Sequence, residues 1–302
     1  IEIVAVNDLG NIENISYLLK YDSVYGKSDF SVSVKESTEP MLVVDGKDIA
    51  YLSEKEPAKL PWRKFGIDVV VESTGFFNSY EKSKAHLDAG AKKVVISAPT
   101  KDNPGNHIEG ATVLMGINSE RLKTCTISSN ASCTTNAASP LIAILHEKIG
   151  IEKATLNTIH GYTASQSLVD APSKRGFREG RAAAQNIVPS STGAAVAVTS
   201  VITELAGKFD GISMRVPIIA GSIVDVTFIA KRNTTKEEVN QLLKDAASDE
   251  RWKKVFTVTE EELVSSDIIG SPYGSIADLG LTRVVDGNLV KVMALYDNEM
   301  GY

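Results

Sequence analysis

Cysteine is scarce in this 302-residue chain: there are two, too few for a disulfide scaffold or a Cys-rich zinc module. Long apolar runs are missing as well. None approaches the roughly 18 residues that a membrane-spanning helix needs. Positive charge is not in excess: 32 Lys plus Arg stand against 38 Asp plus Glu, a net charge of −6. That leaves no electrostatic footprint for nucleic acid or anionic lipid. Repeats, low-complexity tracts and charge blocks are absent, and no G-x-G-x-x-G occurs anywhere. The chain opens at Ile1 with no Met and no signal-peptide pattern. What is present is ordinary globular material, 43% hydrophobic and 23% charged. The length suits two domains. Together these features predict a cytoplasmic enzyme that binds neither nucleic acid nor membrane.

The first third alternates strand and helix signals. Residues 2–6 form a short apolar strand ending in Asn7-Asp8. Residues 12–20 have helical spacing, with Ile12, Ile15, Leu18 and Leu19 on one face. Residues 31–36 alternate, and the strands 41–44 and 48–52 flank Asp45-Gly46, a hairpin signal. Residues 69–71 are all Val, the pattern of a buried parallel strand. A helix over 80–87 and strands over 93–97, 111–115 and 124–128 follow. This βαβ rhythm implies an α/β fold with a Rossmann-type, doubly wound parallel sheet. The second half differs. A helix over 134–148 leads into a strand over 153–162, then a long stretch, 163–190, with little periodicity. A helix over 192–205, strands over 212–216, 222–230 and 289–296, and a helix over 236–247 complete it. Long strands with few helices predict an α+β domain whose mostly antiparallel sheet is covered on one face.

Several positions carry chemistry. An acid at a strand end inside a βαβ sheet can hydrogen-bond a ribose, and its charge repels a 2′-phosphate. Asp8 fits, although on this residue alone an ordinary strand-end Asp in a turn is the favoured reading. Ser73-Thr74-Gly75 and Ser97 lie at two further strand ends, where ligands of such sheets collect. Cys133 precedes an apolar helical run, so helix N–H groups and dipole would lower its thiol pKa. Cys125, within a strand, reads as a buried small hydrophobe. A nucleophilic Cys wants a base. Of the four histidines, 86, 107, 146 and 160, His160 ends a strand beside the long loop and is the best candidate. Pro189-Ser190-Ser191-Thr192-Gly193 opens a helix and can hold an anion or simply cap it. Arg215 sits in an otherwise apolar strand and needs a carboxylate or an anionic ligand.

At this point a resemblance enters. Ala131-Ser132-Cys133-Thr134-Thr135-Asn136 resembles the catalytic signature of phosphorylating glyceraldehyde-3-phosphate dehydrogenases. Ser73-Thr74-Gly75-Phe76, Asn186-Ile187-Val188-Pro189, Met214-Arg215-Val216-Pro217 and Tyr296-Asp297-Asn298-Glu299-Met300 also look like that family, in the family's order. The resemblance implies oxidation of glyceraldehyde 3-phosphate to 1,3-bisphosphoglycerate, with NAD as cofactor and no metal. It implies that Cys133 attacks the aldehyde and His160 takes the proton. Thr163 and Arg215 match the site for the substrate phosphate. Ser132, Thr134, Thr192 and Gly193 match that for the attacking inorganic phosphate, and Arg178 a further substrate contact. Asp8, Lys55, Ser73, Thr74, Gly75, Ser97 and Asn298 match cofactor positions. Residues 163–190 match a loop that lines a neighbouring subunit, implying a homotetramer.

The resemblance divides the chain into an NAD-binding domain, 1–132, to which 298–302 return, and a catalytic domain, 133–297. The family's first strand, glycine-rich turn and first helix have no counterpart here, nor does its C-terminal helix. The chain therefore reads as part of a longer product. Lys55 stands where many members carry an arginine, and Ser165 where many carry an aspartate. Erythrose-4-phosphate dehydrogenase shares the Cys/His pair, and a silent chain with an assembly or binding role is the alternative from another class.

Overall fold

The computed structural model describes residues 1–105 and 107–302. They form two compact units, Ile1–Ala111 with Thr124–Ser129, and Thr112–Lys123 with Asn130–Tyr302.

In the first unit, strand β1 (Ala5–Asn7) leads into helix α1 (Ile12–Lys20). Asn11 caps that helix, its Oδ1 accepting the Asn14 N–H at 3.1 Å. A two-residue pair, β2 (Tyr21–Asp22) and β3 (Gly26–Lys27), precedes β4 (Val32–Lys35), β5 (Met41–Val44) and β6 (Lys47–Leu52). One sheet runs β1-β6-β5-β4. Its β5–β6 hairpin turns at Asp45 and Gly46, with φ of 48° and 75°. Two positive φ values are what a two-residue turn of matching twist demands. Ile12 and Ile15 of α1 pack on Leu42, Ile49 and Tyr51. Leu18 and Leu19 do not join them and stay exposed, so the apolar face expected of that helix extends only over its first half.

Helix α2 (Trp62–Phe65), β7 (Val69–Glu72), α3 (Tyr80–Asp88), β8 (Lys93–Ile96), β9 (Gly110–Thr112) and β10 (Ile127–Ser129) build a second four-stranded sheet, β7-β8-β10-β9. β7, β8 and β10 run parallel. Tyr80 of α3 packs on Val94, Ile96 and Ile127. β7 departs from expectation. It is an edge strand that buries only alternate residues, Val70 and Glu72, and leaves Val69 and Val71 exposed.

The second unit is organised around one eight-stranded mixed sheet. Helix α4 (Cys133–Ile149) runs into the long β11 (Ile151–Gly161). Then come β12 (Val188–Ser191), α5 (Ala194–Thr199), β13 (Phe209–Val216), β14 (Ser222–Ala230) and α6 (Lys236–Ser248). Four strands close the unit: β15 (Phe256–Thr259), β16 (Ser275–Asp278), β17 (Arg283–Val285) and β18 (Leu289–Tyr296). The order is β12-β13-β11-β14-β18-β16-β15, with β17 beside β18. Only β11–β13 and β15–β16 are parallel; the other pairs are antiparallel.

Burial alternates along β14, from Ser222, Val224 and Val226 to Phe228 and Ala230, so the sheet is covered on one face. Leu141, Ile142 and Leu145 of α4 fill that face together with Val198 and Val239. Strands β15 and β16 were not foreseen. The helix expected over 192–205 is much shorter. It starts from Gly193, which offers no side-chain cap, and carries the β-branched Val196, Val198 and Thr199. The chain leaves it at Ser200 and makes a single 3₁₀ turn over Thr203–Leu205.

Candidate functional site

The second unit places a thiol and an imidazole together by two independent devices. The first is a helix start. Ser132 is extended (φ −124°, ψ 161°), and its Oγ accepts the Thr135 N–H at 3.0 Å, which makes it the N-cap of α4. Cys133 is therefore the first helical residue. The second is strand alternation. Ala154, Leu156, Thr158 and His160 of β11 share the face that α4 covers. His160, at the carboxyl end, thus points toward the helix start. The Cys133 Sγ–His160 Nε2 distance is 3.3 Å. Register supplies the third group: Arg215 of β13 pairs with His160 of β11. Arg215 Nη1 lies 2.5 Å from His160 Nδ1 and 3.2 Å from the Gly161 carbonyl oxygen.

Nδ1 also lies 2.6 Å from the Gly161 carbonyl. It cannot donate to that oxygen and accept from Arg215 at once. A proton directed at Gly161 leaves Nε2 a lone pair for the thiol, the tautomer that proton abstraction requires, whereas accepting from Arg215 places the proton on Nε2. In either tautomer Arg215 is a positive charge beside the ring, and it donates to the Gly161 carbonyl. Burial first, and Arg215 second, lower the His160 pKa to about 4. Burial also pushes the Cys133 thiol up, against the pull of the Thr134 N–H, the Thr134 hydroxyl and Arg215. The lowering expected from the helix start is present but outweighed by desolvation. Each group taken singly is held neutral. A proton moving from Sγ to Nε2 creates both charges together and leaves the net charge unchanged. The 3.3 Å contact therefore offers the thiol proton a route to His160 that does not pass through solvent.

Tyr296 and its neighbours lock this arrangement, and sequence reasoning assigned Tyr296 no role. The Tyr296 hydroxyl is fully buried and bonds Thr134 Oγ1 at 2.8 Å and Thr158 Oγ1 at 2.9 Å. It thus ties the Cys133 helix to the His160 strand, with its ring edge-on to His160 at 6.1 Å. The signal was available: a tyrosine inside an apolar strand must find a partner for its hydroxyl. Tyr296→Phe removes the tie and is expected to lower stability by about 1–2 kcal/mol. Chemical denaturation checks this, and an unchanged midpoint would show the two threonines satisfied without it. The turn after β18 is also pinned. Asp297 accepts the N–H groups of Glu299 and Met300 at one oxygen and of Gly270 at the other. Asn298 Oδ1 accepts the Gly221 N–H at 3.0 Å and is 3.2 Å from Ser222 Oγ. The Asn298 amide nitrogen is the end left for a ligand.

Cys133, His160, Thr163, Arg215 and Asn298 line one cavity of about 710 Å³. Gln166 lines it too, was not foreseen, and bonds the Thr163 N–H through Oε1 at 3.3 Å. The other expected substrate residues lie elsewhere in the unit. Ser132 is spent as the cap and Thr134 on Tyr296. Arg178 lines a smaller cavity of about 380 Å³ with Arg175 and Ser190. Thr192 Oγ1 accepts the Ala194 N–H, and Gly193 faces open space. In the first unit, Asp8 follows β1 and its Oδ1 accepts the Gly10 N–H at 2.7 Å. A Cβ on Gly10 would come within 3.0 Å of that oxygen, so the glycine permits the approach. Ser73, Thr74 and Gly75 follow β7, Ser97 follows β8, and Lys55 is exposed after β6.

Residues 132–298 match the family model of the glyceraldehyde 3-phosphate dehydrogenase C-terminal domain, and residues 1–80 that of its NAD binding domain. This chain belongs to the glyceraldehyde-3-phosphate dehydrogenase family. Individual relatives agree. The glyceraldehyde-3-phosphate dehydrogenase of Thermotoga maritima is 48% identical over 303 residues, and that of Clostridium pasteurianum 46% over 307. That of Geobacillus stearothermophilus is 46% identical over 304. Each alignment covers 100% of this chain and 88% of the relative. Membership in the glyceraldehyde-3-phosphate dehydrogenase family accords with the two-part α/β architecture described above. Among the described residues, no helix is long and apolar enough to cross a membrane.

Proposed function

We propose that the chain oxidises glyceraldehyde 3-phosphate to 1,3-bisphosphoglycerate, using NAD and inorganic phosphate. The observation that carries the reading is the 3.3 Å Cys133–His160 contact at the start of α4. Cys133 adds to the aldehyde carbon as His160 takes the thiol proton and returns it to the former carbonyl oxygen, giving a thiohemiacetal. NAD supplies the hydride acceptor when bound. His160 takes the proton of the carbinol oxygen, and the acyl group remains on Cys133 as a thioester. That bond keeps its reactivity until inorganic phosphate attacks the acyl carbon and the thiolate leaves.

Arg215 and Thr163 suit the substrate phosphate, since both line the cavity with Cys133. For the attacking phosphate we assign the backbone N–H groups around Ser132, Thr134, Thr192 and Gly193, because the side-chain oxygens of the first two are engaged internally. Arg178 is assigned a further substrate contact. Toward NAD, the first unit offers Asp8 for ribose hydroxyls, with Lys55, Ser73, Thr74, Gly75 and Ser97 beside strand ends. The second unit offers the Asn298 amide for the carboxamide. Residues 1–132 would serve the cofactor and 133–297 the acyl chemistry. Leu168, Val169, Phe177 and Ile187 are exposed along the 163–190 loop, which favours a homotetramer that covers them. Both cysteines are unpaired, which fits the reducing cytoplasm.

NADH formation with and without inorganic phosphate tests the scheme. With phosphate, turnover is expected to continue. Without it, NADH is expected to stop after a burst of about one per Cys133, as a covalent intermediate requires. Sustained, phosphate-independent turnover would exclude acyl transfer to phosphate.

A further inference from the structure

The first unit holds a buried histidine and a buried carboxylate that the acyl chemistry does not use. His86 of α3 and Glu72 of β7 are each 4% exposed. The Trp62 indole lies against them, with its Nε1 3.1 Å from His86 Nδ1. An indole N–H can only donate, so Nδ1 is the acceptor and the ring proton sits on Nε2. That nitrogen lies 3.0 Å from Glu72 Oε2 and donates to it. The other carboxylate oxygen, Oε1, accepts the Thr74 N–H at 2.8 Å and the Thr74 hydroxyl. Thr74 Oγ1 in turn accepts the Phe76 N–H at 3.1 Å. Every donor in the series is assigned by chemistry, and each points to the Glu72 carboxylate or to a group that itself donates toward it.

The series ends in the 73–76 turn, which leaves β7 at its carboxyl end. Gly75 sits there at φ 74°, a conformation that favours glycine. Further along, Ser83 Oγ donates to the Phe77 carbonyl and anchors the far side of the turn. Both donors of Thr74 are consumed internally. Thr74 therefore shapes the turn, and Ser73, the Gly75 N–H and the exposed Phe76 ring are the groups left to meet a ligand. Glu72 must be ionised to accept three hydrogen bonds. Its pKa is lowered even though burial, the largest single influence, works to raise it. The hydrogen bonds from His86 and Thr74 prevail.

We propose that Trp62, His86 and Glu72 form a buried relay that holds the 73–76 turn in the shape that binds the cofactor. These are positioning residues. Trp62 and His86 are buried behind Glu72 and act through Thr74. The inference rests on the NAD reading given above, and two readouts keep the two separable.

The first readout needs no cofactor: amide hydrogen exchange at Thr74 and Phe76 in the full chain. Trp62→Phe keeps an aromatic ring, though a smaller one, but removes the donor, and Thr74→Val keeps the shape but removes the hydroxyl. Both are expected to speed exchange at these two amides by about tenfold, the opening equivalent of one modest hydrogen bond. Exchange within α3 should remain protected. The second readout is the NAD dissociation constant, taken by titration well below the unfolding transition. Trp62→Phe, Glu72→Gln and Thr74→Val are each expected to raise it several-fold, and Thr74→Ser, which restores the hydroxyl, to return it to within about twofold. The Trp62→Phe/Thr74→Val double variant should bind no worse than the weaker single, because both cut one series.

Unchanged exchange at Thr74 and Phe76 in Trp62→Phe would overturn the relay, as would additive losses in the double variant. If Trp62→Phe does not fold, Glu72→Gln, whose amide mismatches the donors around it, takes its place. If the unaltered protein binds no NAD, the functional reading fails, and the exchange experiment still decides whether the relay exists.

Discussion

Cys133→Ser is expected to reduce NADH production to background, a loss on the order of 10³-fold or more, while the fold persists. Two effects act together. A hydroxyl gives up its proton far less readily than a thiol, so transfer to His160 across 3.3 Å no longer yields a usable nucleophile. Any acyl group that did form would be held as an oxygen ester, which phosphate displaces poorly. Structure argues against collapse. Ser132 and not Cys133 caps α4, and the helix is anchored by its buried face of Leu141, Ile142 and Leu145. The variant should therefore unfold at nearly the same denaturant concentration as the unaltered chain. Turnover within tenfold of wild type would remove Cys133 from the mechanism. Lost turnover with a lost fold would mark it as structural instead.

The contrast between the two histidine clusters shows what the sequence made legible. His160 could be chosen from four because a strand end beside a long loop is where functional groups collect, and Cys133 because a helix start is readable from its cap. The hairpin at Asp45-Gly46 and strand β14 were legible for a similar reason: local pattern and local structure coincide there. The 3.3 Å approach was not legible, since it depends on α4 crossing one face of an eight-stranded sheet. Arg215 looked anomalous in an apolar strand, but its neighbour follows only from the parallel register of β11 and β13. The sign of the thiol shift was misread because sequence reveals the helix start but not the desolvation that outweighs it. Strands β15 and β16 are four residues each and lie between irregular polar segments, too short for period-2 alternation to stand out. Val69 and Val71 suit a strand flanked on both sides, and among the described residues β7 has a neighbour only at β8, which leaves both side chains exposed. The Trp62–His86–Glu72 series escaped for the same reason as the 3.3 Å contact. It joins residues of α2, α3 and β7 through side chains alone.

His160→Asn separates the two ways in which Cys133 could become a thiolate. Transfer of the thiol proton to Nε2 requires a neutral ring, which the unaltered protein has above about pH 4. Labelling of Cys133 by iodoacetamide should therefore be fast at neutral pH and fall only as pH drops toward 4. Asparagine cannot accept the proton. The thiol must then ionise to solvent from a value that burial holds above its usual 9.0, so labelling should become slow at neutral pH and recover only in strong base. A decrease of about 10²-fold or more at neutral pH is expected, with turnover falling by a similar or larger factor. Equal labelling profiles would show that His160 does not take the thiol proton. The same substitution has a stability signature of fixed sign. His160 binds its proton at about pH 4 when folded, against 6.5 for an ordinary histidine, so acid favours the unfolded chain. Its contribution is fully present above pH 6.5 and is lost as pH falls from 6.5 to about 4, amounting to roughly 3 kcal/mol over that window. His160→Asn should lose less stability than the unaltered protein between those two pH values, because asparagine has no proton to bind. A steeper acid loss in the variant would mean that the ring is not held neutral, and the desolvated thiol–imidazole pair would have to be replaced by a resting ion pair.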